Sequence, residues 1–272
     1  MENVMYMLDS TSNRQMNSFI VTTKEGGVIV IDGGYEFDAE KLIGKLKEIT
    51  GKAVPHIDGW FFTHAHDDHI SAFNKIMEEN KGEVTFDRVY YNFPSTQFFD
   101  NYEPTEAHAL KKFYANLPKF ADKICIVYQS DVYEVAGAKF EYLYTADPVY
   151  KFNCINNSTS VFRITLGGKT VLFLGDLGVD AGKKLLAMHK GALKSDIVQM
   201  AHHGQNGVDF DVYEAIAPSC CLWCTPDWLW NNDAGLGYNT HCFKTIEVRG
   251  WMEKLGVKEH YVTKDGDQII KL

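Results

Sequence analysis

The chain has 272 residues, of which 45% are hydrophobic and 23% are charged. These values are ordinary for a globular protein, and aromatic residues at 13% supply a large core, which excludes a disordered chain and a small disulfide-dependent scaffold. Twenty-seven basic residues against 36 acidic ones leave a net charge of −9, which disfavours long nucleic acid as a partner because phosphate contacts need a basic face.

The sequence also carries signals about the compartment. No apolar run is long enough to cross a membrane, and the first nine residues contain Glu2 where a secretory signal would be basic. We therefore expect a cytoplasmic protein with no membrane partner, in which the six cysteines are reduced thiols. The sequence predicts no particular oligomeric state.

The first half of the chain alternates predicted strands and helices. Residues 17–31 form a hairpin, and Asp32 ends its second strand just before a pair of glycines. The elements that follow are a helix over 38–49, a strand over 57–62, a helix near 70–80 and a strand at 89–91. This order is typical of an α/β protein.

The second half repeats this plan after a helix near 105–117 and short strands at 124–128 and 139–144. Residues 160–174 form a second hairpin that ends in Gly175-Asp176. The remaining elements are a helix near 180–189, a strand at 196–200 that leads to His202-His203-Gly204, and further elements at 219–224, 243–255, 259–263 and 268–271. We therefore predict one domain over residues 1–272, a sandwich of two similar halves with helices outside two sheets.

Residues 63–69 carry the strongest chemical signal, the pattern His64-x-His66-x-Asp68-His69. Because a strand ends at Phe62, His64 and His66 can point the same way from an extended segment, with Asp68 and His69 on the following turn. Imidazole and carboxylate donors without thiolates suit zinc, manganese or iron. A polar loop that merely caps the next helix is the plain alternative, and three histidines at this spacing disfavour it.

Other candidate residues also follow predicted strands. Asp176 could bridge two ions, although an aspartate after Gly175 is by itself more typical of a turn. One of His202 and His203 can complete a metal site, with a core or helix-capping histidine as the alternative. Asp32 is predicted to orient a ligand histidine rather than to bind the ion.

Together these motifs resemble the metallo-β-lactamase superfamily. The resemblance implies an αββα four-layer sandwich with two metal ions at one edge of its sheets. It implies His64 and His66 on ion one, Asp68 and His69 on ion two, and Asp176 as the bridge, with one of His202 and His203 completing ion two. The segment Asn156-Asn157-x-x-Ser160 is similar to the hydrolase domain of bacterial DNA-uptake (competence) channel proteins and its stand-alone relatives.

One position departs from the family pattern. Many members have a third histidine for ion one, where this chain has Asn157, whose amide oxygen is a weak, neutral ligand. Ion one is therefore expected to bind more weakly than ion two, because it has fewer strong ligands.

The sequence therefore predicts a metal-dependent hydrolase with two divalent ions, zinc being the first expectation and manganese or iron the alternatives. A metal-activated hydroxide held by Asp68 would attack the substrate, and the region of His202 and His203 would stabilise the developing negative charge. A small phosphodiester or phosphoester is the first choice of substrate. Carboxylic ester, lactone or thioester hydrolysis is the alternative reaction. Outside the enzymes, the alternative is a non-catalytic regulatory protein that binds metal.

Further features carry less weight. Four aromatic residues near the end of the chain form a cluster in sequence that could cage a quaternary ammonium group, although a core or pocket wall is the more ordinary interpretation: Trp223, Trp228, Trp230 and Tyr238. We expect the aromatic stretch 90–102, with Trp228 and Trp230, to wall the entrance to the metal site. The cysteines at 220, 221, 224 and 242 could hold a structural zinc, but buried strand cysteines are the favoured interpretation. His241 is a further candidate to reach the cleft.

Overall fold

The computed structural model describes residues 2–272 and contains two seven-stranded sheets packed face to face, with helices on both outer faces. The predicted αββα sandwich is therefore confirmed. In chain order the strands are β1 (Val4–Met7), β2 (Ser18–Thr22), β3 (Val28–Asp32), β4 (His56–Ile57), β5 (Gly59–Phe61), β6 (Thr85–Phe86), β7 (Val89–Tyr91), β8 (Ile124–Ile126), β9 (Val132–Val135), β10 (Ala138–Tyr144), β11 (Val161–Leu166), β12 (Lys169–Phe173), β13 (Ile197–Gln199), β14 (Cys220–Trp223), β15 (Glu259–Val262) and β16 (Gln268–Lys271).

Helices cover the outer face of each sheet. Leu42, Phe73 and Phe113, from three different helices, pack on the first sheet, whereas Leu185 and Val248 pack on the second. The α-helices are α1 (Ala39–Thr50), α2 (Asp67–Glu79), α3 (Thr96–Tyr102), α4 (His108–Asn116), α5 (Val179–Met188), α6 (Phe210–Ile216), α7 (Asp227–Trp230) and α8 (Thr245–Lys254).

The strand order shows how the two halves are joined. The first sheet has the order β16-β1-β2-β3-β5-β7-β8, the second has the order β15-β14-β13-β12-β11-β10-β9, and β4 pairs separately with β6. The last strand, β16, pairs antiparallel with β1, so the end of the chain crosses back to the first sheet. The two halves are therefore similar in plan but interlocked, because the first sheet takes its edge strand β16 from the end of the second half, whereas the second sheet is built from the continuous run β9 to β15.

Besides the two hydrophobic cores under the outer helices, a third core lies between the sheets and fixes their relative position. The rings of Phe61 and Phe140, one from each sheet, stack with centroids 3.8 Å apart, and Phe19 meets Phe173 edge to face at 5.0 Å. Strands β2 and β3 are buried along their whole length because one face meets this core and the other meets the helices. Close packing on both faces holds the strand ends of the two sheets in register with each other.

Several elements differ from the sequence-based expectation. Strands β1 and β9 and helices α3, α6 and α7 had no clear periodicity and were not predicted. The strand expected over 57–62 is interrupted at Asp58, whose carboxylate accepts the Val28 N–H at 2.7 Å. Helix α2 begins at Asp67 rather than near residue 70, because two aspartates favour a helix N-terminus directly after the extended His66. Within residues 2–272, no helix combines the length and apolar character needed to span a membrane.

Candidate metal centre

Four strand ends meet at one edge of the sandwich. Asp32 ends β3, and residues 63–66 connect β5 to α2 in the same sheet. In the second sheet, Gly175-Asp176 follows β12, and a short 3-10 turn over Ala201–Gly204 follows β13. Strands β3 and β5 are parallel, as are β12 and β13, so their carboxyl ends lie at the same side of each sheet.

Two groups of potential metal donors lie at this edge and share one carboxylate. Asp68, His69, Asp176 and His203 are all buried, and their donor atoms lie within 4.8 Å of one another. His64 and His66 form the second group with the same Asp176. Because α2 begins at Asp67, Asp68 and His69 project from the first helical turn, not from the turn before the helix as the sequence suggested.

The spacing of the first group fits a small cation. The Nε2 atoms of His69 and His203 each lie 3.3 Å from an Asp176 carboxylate oxygen, and His203 Nε2 lies 3.0 Å from Asp68 Oδ2. Donors that surround zinc tetrahedrally at about 2.0–2.1 Å are about 3.3 Å apart, so these distances match the edges of such a coordination polyhedron.

The hydrogen bonds behind the histidines direct their lone pairs at this space. His69 Nδ1–H donates to Asp32 Oδ2 at 2.8 Å, and His203 Nδ1–H donates to the Cys224 carbonyl at 3.1 Å. Each ring therefore carries its proton on Nδ1 and presents the Nε2 lone pair. Within residues 2–272, both Nε2 atoms and Asp176 Oδ1 are buried without a hydrogen-bond partner, a costly arrangement that a divalent cation would relieve.

Electrostatics also favour positive charge here. Burial by itself would lower the pKa of His69, but the charges of Asp176, Asp68 and Asp32 raise it well above the ordinary value. His203 is similar: against the effect of burial, Asp176 and Asp68 raise its pKa to about 9. Burial would raise the pKa of Asp176, yet the facing histidines lower it well below the usual range. The carboxylates thus attract protons to the same positions that a cation would occupy.

Unusual backbone conformations aim these side chains. Asp32, His202 and His203 have positive φ angles of 53°, 50° and 56°, a region that costs non-glycine residues energy. Gly204 has a φ of 78°, and a Cβ there would lie 2.4 Å from the Trp223 ring. Such strain is typical of functional sites, and here it turns the chain sharply enough to point His203 inward.

Asp32 does not join either donor group but supports them. Its Oδ2 accepts hydrogen bonds from His69 Nδ1, the Thr63 hydroxyl at 2.7 Å and Asn17 Nδ2 at 2.6 Å, while its Oδ1 accepts the Thr63 N–H at 2.8 Å. The carboxylate is completely buried. This is the orienting position that the sequence suggested for Asp32.

His202 and His203 occupy different positions relative to the metal donors. The His203 ring belongs to the four-donor group, whereas the His202 side chain is 21% exposed and its Nε2 lies 3.9 Å from Asp176 Oδ2. Burial lowers the pKa of His202, although the nearby Asp176 carboxylate opposes this effect. His202 therefore flanks the donors from the solvent side.

Asn157 lies in the 3-10 turn Asn156–Ser158 and is buried. Its Nδ2 donates to the Phe152 carbonyl at 3.1 Å, and its Oδ1 lies against Gly178, just beyond Asp176. Its role as a weak ligand of ion one stays a prediction. The His64–His66–Asp176 group has three donor residues against four in the other group, as the missing histidine implies.

Two of the aromatic residues expected at the entrance to the metal site lie elsewhere. Tyr90 stacks on Phe61 inside the core between the sheets, and Trp230 packs edge to face on the buried Trp223 at 5.2 Å. We expected these rings at the site because loops at strand ends commonly carry specificity, but Tyr90 lies between the sheets and Trp230 is half-buried on the outer core of the second sheet. Trp228 is only half-buried, and its Nε1 donates to the Asn13 carbonyl at 3.1 Å.

The remaining candidates lie elsewhere. His241 stacks on Phe243 with ring centroids 4.3 Å apart and lies beside Trp228, while Tyr238 is exposed, so the four aromatic residues do not form one cage. In the part of the chain that is described, no cysteine joins a metal-binding group. Cys220 and Cys221 are buried in β14, as the favoured interpretation predicted.

The sequence did not predict that several residues lie at the site. Asn17 and Cys224 contact each other behind the donors. The Arg14 guanidinium lies 5.6 Å from the ring centre of Tyr35 and 5.9 Å from that of Phe37. Their contacts join positions far apart in the chain, so local spacing could not identify them. The glycine pair after Asp32 was the one available hint that the chain approaches α2 closely there.

Comparison with known proteins identifies the family. A sequence profile of the Metallo-beta-lactamase superfamily matches residues 12–211, which include both donor groups. The chain belongs to this superfamily. The membership that the sequence motifs predicted is therefore confirmed.

Individual relatives are distant. ComE operon protein 3 of Bacillus subtilis (strain 168) is 22% identical over 162 residues, which cover 58% of this chain but only 18% of that protein. Among solved structures, the metallo-beta-lactamase fold protein YhfI from Bacillus subtilis has a TM-score of 0.60 at 12% identity, with all of both chains covered. CmlA, a diiron β-hydroxylase from Streptomyces venezuelae, has a TM-score of 0.56 at 14% identity, covering all of this chain and 54% of CmlA. A diphosphatase from the PhnP family has a TM-score of 0.50 at 13% identity, with 99% and 98% covered. At these identities the likeness concerns the fold.

Proposed function

We propose that this protein is a metal-dependent hydrolase that cleaves a phosphodiester or phosphoester bond in a small molecule, using two divalent cations, with zinc as the first expectation. The observation that carries the proposal is the buried four-donor group, in which two Nε2 lone pairs and one Asp176 oxygen face each other without hydrogen-bond partners within residues 2–272. A divalent cation would satisfy all of these groups at once.

The donor residues divide between two ions. Asp68, His69, Asp176 and His203 would hold one, and His64 and His66 would hold the other together with Asp176. When bound, a divalent cation makes water more acidic and withdraws charge from a phosphoryl oxygen. The mixed imidazole and carboxylate set suits zinc, and iron or manganese would suit the same donors.

Protein groups around the donors can move a proton and stabilise charge. Although burial opposes it, the neighbouring histidines lower the pKa of Asp68, so its carboxylate is ionised and can hold and orient the attacking water through a hydrogen bond. His202 is partly exposed beside Asp176, so its ring, when it carries a proton on Nε2, can donate to a substrate oxygen as negative charge develops there.

The position of Arg14 supports the proposal of an anionic substrate. The Asn17 N–H donates to the Asp68 carbonyl at 3.0 Å, so the segment that carries Arg14 runs over the first turn of α2. The Arg14 guanidinium lies over the Tyr35 ring, and no carboxylate in the described part of the chain comes within 4.0 Å of it. A guanidinium without a carboxylate partner favours a phosphate group, which it can bind through two hydrogen bonds.

Other considerations narrow the substrate. The net charge of −9 favours a small substrate over long nucleic acid. The likeness in fold to a diphosphatase supports phosphoester chemistry in this proposal. A cytoplasmic location, with all six cysteines as free thiols, belongs to the same proposal.

The test combines metal analysis with a substrate panel. The purified full-length protein would be stripped with a chelator, reloaded with zinc, manganese or iron, and assayed with a phosphodiester, a phosphomonoester, a lactone and a thioester. We expect phosphodiester or phosphomonoester turnover that depends on metal and is lost in His69→Ala and Asp176→Ala.

His56→Ala is the matched control. His56 begins β4, which pairs only with β6 and belongs to neither large sheet, and its Nε2 lies 3.2 Å from an Asp87 carboxylate oxygen. This variant should keep native turnover. Efficient turnover of the lactone or thioester with no phosphoester activity in any metal would reject the substrate class, and metal binding with no turnover of any substrate would reject the hydrolase.

A further inference from the structure

A buried chain of hydrogen bonds runs behind the four-donor group and joins the two sheets. Its centre is Asn17, which precedes β2 and is completely buried. The Asn17 Nδ2 donates to Asp32 Oδ2 at 2.6 Å, and its Oδ1 accepts a hydrogen bond from Cys224 Sγ at 3.1 Å. The Asn17 carbonyl accepts the Gly33 N–H at 3.2 Å, so the backbone of this residue is fixed as well.

Each end of this chain holds one of the donor histidines. On the first sheet, Asp32 Oδ2 accepts the Nδ1–H of His69 at 2.8 Å. On the second sheet, the carbonyl of Cys224 accepts the Nδ1–H of His203 at 3.1 Å. The sequence His69–Asp32–Asn17–Cys224–His203 therefore connects the two histidines through protein groups alone, although they come from different sheets.

The direction of each hydrogen bond is determined. The Asp32 carboxylate accepts and cannot donate, so the Asn17 amide must present its NH₂ group to Asp32 and its oxygen to Cys224. The thiol supplies the donor that this oxygen needs. Removing the thiol would leave a buried amide oxygen without a partner and would release one side of the amide.

We propose that Asn17 and Cys224 are positioning residues that fix the distance and orientation of His69 and His203 across the two sheets for binding of a divalent cation. Residues that orient metal-binding histidines commonly change metal affinity by about 10–100-fold when they are mutated. The inference rests on the metal-binding part of the proposed function and not on the hydrolysis.

The test compares two cysteine variants of the full-length protein. Cys224→Ala removes the thiol that contacts Asn17, whereas Cys221→Ala removes an equally buried thiol that packs in the outer core of the second sheet. Cobalt(II) would be titrated into each metal-free protein and followed by its visible absorption bands. We expect Cys224→Ala to weaken cobalt binding about tenfold or more and to shift the bands, and Cys221→Ala to leave both near native.

Two further variants complete the test. Cys224→Ser restores a donor and should return the cobalt spectrum towards native, and Asn17→Ala should weaken binding at least as much as Cys224→Ala. If Asn17→Ala does not fold, the two cysteine variants decide the question.

Native cobalt affinity and spectrum in Cys224→Ala, or equal losses in Cys224→Ala and Cys221→Ala, would overturn the positioning role. A serine variant that folds but loses as much as the alanine variant would overturn the donor role of the thiol. Because the cobalt titration uses no substrate, a failure of hydrolysis in the substrate panel leaves this result unaffected.

Discussion

Replacing Asp32 with asparagine tests how far one buried carboxylate supports the metal centre. Asp32 has a φ of 53°, and asparagine tolerates this left-handed region well, so the substitution adds little backbone strain. Of the bonds to Asp32, three converge on Oδ2 and one reaches Oδ1. An asparagine oxygen placed at Oδ2 keeps those three donors but turns its NH₂ towards the Thr63 N–H.

The magnitude follows from these bonds. One hydrogen bond to a charged group, about 1.5–3 kcal/mol, is lost, and three others weaken because the acceptor becomes neutral. Relief of the buried charge offsets part of the loss, so we expect a destabilisation of about 2–4 kcal/mol. For a chain of this size that is a fall in Tm of about 4–7 °C. Because His69 loses its charged partner, zinc affinity should fall about 10–100-fold.

Asp38→Asn provides the control. Asp38 is also a buried carboxylate, and it accepts hydrogen bonds from Ser10 and Thr11, but it belongs to neither donor group. Thermal unfolding and zinc competition titrations of both variants separate the two effects. We expect both to lose stability and only Asp32→Asn to lose zinc affinity. Native zinc affinity in Asp32→Asn, or the same loss in both variants, would refute the orienting role.

Three further predictions concern protons, the unequal ions and the substrate. The facing carboxylates raise the pKa of His203 to about 9, so protons compete with the cation below that pH. Zinc affinity should therefore rise between pH 6 and 8, by up to about tenfold per pH unit for each proton displaced. Competition titrations that show no change of zinc affinity with pH would contradict this. The His64–His66–Asp176 group has fewer donors than the other group, so stepwise chelation should remove its ion first, as followed by metal analysis. Asn157→His should delay that loss. Two ions of equal affinity in the native protein would count against this prediction. Arg14→Gln should raise KM for a phosphoester about tenfold, with kcat and metal content unchanged, and an unchanged KM would remove Arg14 from substrate binding.

The sequence predicted the layers of the fold because its periodicities are local. The hairpin that contains β2 and β3 and the amphipathic helix α1 follow directly from alternating or three-to-four-residue apolar spacing. The pairing of β16 with β1 could not be predicted in this way. It joins the two ends of the chain, and nothing in either four-residue segment specifies its partner.

The donors were easier to find than their supports. His64, His66, Asp68 and His69 lie within six consecutive positions, so their spacing alone indicates a metal site. The choice of His203 over His202 depends on two consecutive left-handed residues, which the sequence does not reveal. Asn17 and Cys224 are separated by 207 positions, and only the packing of one sheet on the other brings them together.

The most direct test of the metal centre is a crystal structure of the zinc-loaded protein with anomalous diffraction data collected at the zinc edge. We predict a strong anomalous peak about 2.0–2.2 Å from the Nε2 atoms of both His69 and His203 and from an Asp176 oxygen, with a weaker peak beside His64 and His66. Absence of any peak between His69 and His203 in protein that contains zinc, or a zinc ion bound only elsewhere, would contradict the assignment of this site.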